Sequence, residues 1–184
     1  MLLLFPLGLV AGIALAALIH ECGHLIAVRL VGGKVLALRL HAGGARIETA
    51  PMPPGKAALC ALAGPGAGAL TIFAWRFFPE LALAGLMQTV FNLLPIYPLD
   101  GGQAVRCVLD KVCSPQKSEK WCGRISAGTV LTAVIVLVFC GFRWNLGLFP
   151  LLAAGLLVHR WVSGKICLQR KPFGSTIGTP YKMR

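Results

Sequence analysis

Two histidines and a glutamate interrupt an apolar run, Ile13-Ala14-Leu15-Ala16-Ala17-Leu18-Ile19-His20-Glu21-Cys22-Gly23-His24-Leu25-Ile26-Ala27-Val28. An ionisable side chain at bilayer depth costs roughly 3 kcal/mol or more, so such a cluster calls for a function. Positions four apart share one face of a helix, so His20 and His24 can offer two imidazoles to one metal ion. Glu21 then lies beside that ion, where it can take a proton from water. Cys22 falls off that face and reads as a packing residue.

A catalytic zinc takes three protein ligands and keeps one position open. The acidic candidates are Glu21, Glu48, Glu80, Asp100, Asp110 and Glu119. Glu80 belongs to the opposite side of the membrane. Glu48, Asp110 and Glu119 have basic neighbours and read as solvated. Asp100 sits at the matching depth, so His20, His24 and Asp100 are assigned as ligands of one Zn2+. The alternative for Asp100 is a helix-end aspartate with no metal contact. Zinc lowers the pKa of its water to about 7, Glu21 accepts the proton, and the attack falls on a peptide carbonyl. Asn92 has two readings: a hydrogen bond to an unwound substrate backbone, or one between helices.

The elements that position these groups follow from composition. The chain has 184 residues, 57% hydrophobic and 13% charged, with a mean hydropathy of +0.76. Soluble domains carry about 25% charged residues. The reading is an all-α polytopic membrane protein, a domain over 1–162. Its five apolar spans lie near 3–28, 57–75, 81–99, 125–142 and 146–162, three of them forming a catalytic core. Of the 18 Lys and Arg, all but Arg76 and Arg143 fall in the first and third connections and the tail. That asymmetry predicts the N-terminus outside and the C-terminus in the cytoplasm. It explains the net charge of +12 as topology plus attraction to anionic lipids, not nucleic-acid binding. The first span lacks a basic leader segment and is expected to be retained.

Between the first two spans, Leu36, Leu38 and Leu40 alternate and Gly43-Gly44 marks a turn, predicting a small β-hairpin at the cytoplasmic face. It reads as an edge for an extended peptide or as a plain connector, with His41 a turn residue. Residues 102–112 form an amphipathic, partly helical stretch. His159 reads as an interfacial anchor, and 163–184 as a flexible basic tail. The seven cysteines are expected to be reduced.

The third span ends in Asn92-Leu93-Leu94-Pro95-Ile96-Tyr97-Pro98-Leu99-Asp100-Gly101-Gly102. Together with His20-Glu21-Cys22-Gly23-His24, this resembles the site-2 protease family of intramembrane zinc metalloproteases, most of all its stage IV sporulation protein FB branch. Gly64-Pro65-Gly66 looks like the second core helix of that family. The resemblance implies that His20, His24 and Asp100 bind zinc, that Glu21 is the catalytic base, and that Asn92 handles substrate. It implies a bacterial cell membrane protease for regulated intramembrane proteolysis. Its substrate would be a sigma-factor precursor or a membrane-tethered transcription regulator, and an inhibitory membrane protein would be a further partner. Cys22 departs from the leucine common there. Neither a periplasmic PDZ insertion nor a CBS domain is expected. Two competing readings are a metal-ion transporter, which lacks the expected repeat of the motif, and a catalytically silent helix-binding scaffold.

Overall fold

The computed structural model describes residues 7–41, 44–144 and 147–170. The chain runs α1 (Leu7–Leu30), β1 (Val35–His41), β2 (Gly44–Thr49), α2 (Pro54–Leu70), α3 (Pro79–Asn92), α4 (Asp100–Val112), α5 (Pro115–Trp144) and α6 (Phe149–Arg170), with a 3-10 turn over Thr71–Ala74 extending α2. The expected turn at Gly43 and the tail from 171 lie outside the described residues.

The faces of α1 are inverted relative to a soluble helix. Its buried residues are Gly12, Ala16, His20, His24 and Val28. Leu7, Val10, Ile13, Leu15, Leu18, Ile26 and Leu30 are exposed. Water would penalise that arrangement. In lipid the tails cover the large side chains, and small residues let backbones approach closely. The buried positions recur every four residues, which forms one ridge for a neighbouring helix. The same rule builds α2, which buries Ala57, Cys60, Ala61, Gly64, Pro65 and Gly68. In α5 the buried row is Ser118, Cys122, Ser126 and Val130. Helix α1 packs against α2 and α3, α2 against α4, and α5 against both α4 and α6.

Among the described residues, three stretches are long and apolar enough to cross a bilayer: Leu7–Leu30, Pro54–Ala74 and Pro115–Trp144. The expectation of five spans is met only this far. Helix α3 has 14 residues and reaches about 21 Å, short of a hydrocarbon core of roughly 30 Å. It stops at Asn92 rather than near 99, because Pro95 and Pro98 cannot donate to a helical ladder. Helix α6 runs on to Arg170, past the apolar boundary at 162, and its second half is basic. Helix α5 starts at Pro115, well before 125; Lys117, Lys120 and Arg124 lower its hydropathy without breaking the helix.

The predicted hairpin is present. β1 pairs antiparallel with β2 from Val35↔Thr49 to His41↔Gly44, with an irregularity between Val35 and Ala37. Lys56 Nζ donates to the Val31 carbonyl at 2.9 Å, and so ties the end of α1 to the start of α2.

Between α3 and α4 the chain is irregular from Leu93 to Leu99, with a cis Tyr97-Pro98 bond. Ile96 and Leu99 anchor this segment in a core with Val130 and Leu157, flanked by Phe91, Leu94 and Trp161. Non-helical backbone survives at membrane depth only where protein or a wet cavity surrounds it.

Candidate metal centre

His20 and His24 both lie on the buried ridge of α1, 3% and 7% exposed. Asp100 opens α4, where the amide dipoles of the first turn favour a carboxylate. Chain separation of 80 residues is closed here: His20 Nε2 lies 3.0 Å from Asp100 Oδ2. His24 Nε2 lies 3.3 Å from the same oxygen and 3.3 Å from His20 Nε2. Among the described residues this is the only trio of metal-capable side chains brought together.

The protonation of His24 follows from its surroundings. Its Nδ1 is 2.7 Å from the Cys60 carbonyl. A carbonyl can only accept, so Nδ1 carries a proton, which leaves Nε2 as the ring atom available to a metal ion. A carboxylate oxygen and two imidazole nitrogens at this spacing need a cation or a proton among them.

The spacing itself tests the cation. Ligand atoms held about 2.0–2.2 Å from a common tetrahedral centre stand roughly 3.3–3.6 Å apart. Two of the three edges, at 3.3 Å, match that range, and the third, at 3.0 Å, is slightly shorter. Two nitrogens and one oxygen are also a ligand set that zinc accepts. The residues therefore fit a zinc ion.

Glycines bring the surrounding backbone this close. A Cβ on Gly64 would lie 2.1 Å from His24 Nε2, so α2 can pass behind the imidazole only with hydrogen at that position. Cβ atoms on Gly101 and Gly102 would strike Leu93 and the Ile96–Tyr97 backbone. These two glycines let α4 fold back on the irregular segment and deliver Asp100.

The other predicted residues are placed as follows. Glu21 is half-buried one position from His20 and interacts electrostatically with His24. Asn92 is the half-buried last residue of α3 and stands outside the trio. His159 is exposed. Asp110 corrects its expected solvation: its side chain is only 6% exposed, with Arg106 3.9 Å away.

The described cysteines, Cys22, Cys60, Cys107, Cys113, Cys122 and Cys140, are free thiols. Burial, with the Asp110 carboxylate adding to it, pushes the Cys107 thiol up to about 11. It therefore ionises less readily than a free thiol. Sequence reasoning missed the Cys60 carbonyl, a backbone atom with no side-chain signature.

The fold is that of a site-2 protease. The solved site-2 protease from Methanocaldococcus jannaschii matches with a TM-score of 0.64 and 23% identity, over 97% of this chain and 84% of that one. Residues 60–136 match the model of Peptidase family M50, a segment that contains Asp100 and begins after the His20–His24 motif. A zinc metalloprotease of the same organism is 28% identical over 138 residues, which is 67% of this chain and 40% of that protein. The chain thus spans less than half the length of this curated relative. The family model and the curated relative show a likeness to Peptidase family M50 over part of the chain, and the solved structure shows the fold.

Proposed function

We propose that the chain is an intramembrane zinc endopeptidase that cleaves a membrane-associated protein near the cytoplasmic face. The observation that carries this is the convergence of His20 Nε2, His24 Nε2 and Asp100 Oδ2 at 3.0–3.3 Å, with both histidines on an apolar helix and a carboxylate alongside.

A zinc ion held by these three atoms would supply Lewis acidity, polarising a peptide carbonyl and lowering the pKa of water to about 7. The chain's own groups do the rest. The Cys60 carbonyl holds the His24 ring in one tautomer and orientation. Asp100 adds the negative charge that offsets a divalent ion. Glu21 takes a proton from the attacking water and returns it to the leaving amine, a role worth about 10²–10⁴ in rate. Asn92, at the end of α3, hydrogen-bonds substrate backbone that has left its helix. The apolar exteriors of α1, α2 and α5 keep bulk water away from all but the mouth of the site.

The charge asymmetry supports a multi-pass protein with the N-terminus outside and the site close to cytosolic water. The basic connections favour anionic lipid at that face. The resemblance over residues 92–102 supports the stage IV sporulation branch, with a sigma-factor precursor or membrane-tethered regulator as substrate and an inhibitory membrane protein as partner. Co-expression with such substrates tests the reading. Wild type should yield a shortened product that Glu21→Gln does not; equal cleavage by both would refute it.

A further inference from the structure

Asp100 is delivered by backbone that is not helical, so something other than a helical ladder must hold that backbone still. The residues that do so are on α4, α5 and α6, outside the α1–α3 core. The Tyr97 amide donates to Ser126 Oγ at 3.1 Å. The Ser126 hydroxyl in turn donates to the Pro95 carbonyl at 3.3 Å. One hydroxyl therefore satisfies two groups of the broken backbone, an orphan donor and an orphan acceptor on either side of Ile96. Ser126 is 1% exposed and Ile96 is fully buried, so bulk water does not reach either bond.

Two further contacts complete the bracket. Gln103 Nε2 donates to the Pro98 carbonyl at 3.1 Å. On α6, a Cβ at Gly164 would lie 2.5 Å from the Tyr97 carbonyl oxygen, so that helix lies directly against the same residue.

We propose that Ser126 is a positioning residue for the metal centre, acting through Pro95–Leu99 to hold the Asp100 carboxylate against His20 and His24. This rests on the zinc reading above. It gives α5 a role in the site that its apolar composition did not suggest. The same helix supplies its own control. Ser118 is on the same buried row and fully buried, yet its hydroxyl has no hydrogen-bond partner among the described residues. Removing that hydroxyl perturbs packing without touching the loop.

The test is zinc affinity of the purified full-length protein in detergent, measured by competition with a chromophoric chelator. Ser126→Ala is expected to weaken zinc binding about tenfold, the scale of lost supporting contacts around a metal ligand. Ser118→Ala should stay within about twofold of wild type. In an Asp100→Asn background, Ser126→Ala should add nothing, because the two changes act on one ligand. Ser126→Cys keeps the shape with weaker hydrogen bonds and should lose severalfold, so it carries the test should the alanine variant not fold. Unchanged affinity in Ser126→Ala or Ser126→Cys would overturn the proposal. So would an equal loss in Ser118→Ala, or a full additional loss in the Asp100→Asn background. Wild type that binds no zinc would instead refute the metal centre itself.

Discussion

The two halves of the candidate metal centre are built by different means. His20 and His24 come from an uninterrupted helix, where the four-residue spacing alone puts both imidazoles on one face. Asp100 comes from a place where the helix fails, and its position depends on close backbone packing at Gly101 and Gly102 and on a buried hydroxyl. The first half is local and cheap to specify. The second depends on α4, α5 and α6 packing around the break in the helix. A protein that assembles a buried ligand set this way makes its metal affinity depend on helices that never touch the metal.

The contrast can be broken most severely from the helical side. His24→Ala removes a ligand and the bond to Cys60, and should abolish both zinc retention and proteolysis, read by elemental analysis and a substrate cleavage assay. Glu21→Gln separates holding from chemistry. It should lower kcat by about 10²–10⁴ while one zinc per chain remains; loss of the metal in this variant would show that Glu21 is a ligand instead.

Gly64→Ala sharpens the comparison, since it attacks the helical half from a neighbouring helix. The new methyl would collide with the His24 ring. Zinc affinity should fall by about 10–100-fold, the range for disturbed ligand surroundings, while Gly66→Ala, which meets nothing within 4 Å, should be silent. Asn92→Ala should raise KM or lower kcat severalfold with zinc binding intact, because the residue stands outside the trio. His159→Ala, exposed on α6 and far in sequence from either half, should leave cleavage within about twofold of wild type.

What the sequence revealed follows the same division. The His20-Glu21-His24 face was legible from spacing within an apolar run, because helix geometry is local. Asp100 could be chosen from depth and from the neighbouring prolines and glycines. The Cys60 carbonyl and Ser126 were not legible: a backbone acceptor has no residue type, and a lone serine in a helix does not announce which loop it faces. The boundaries of α5 and α3 shifted for physical reasons. Basic residues at the start of α5 remain helical at an interface, and Pro95 and Pro98 end α3 before its apolar run is finished. The buried carboxylate of Asp110 went unseen because its ion-pair neighbour, Arg106, made it look solvated.

Zinc K-edge absorption of the purified full-length protein tests the central claim most directly. The account predicts one zinc per chain, coordinated by two imidazole nitrogens, one carboxylate oxygen that disappears in Asp100→Ala, and one exchangeable light atom. A sulfur ligand, a first shell unchanged by Asp100→Ala, or protein that takes up no zinc would contradict it.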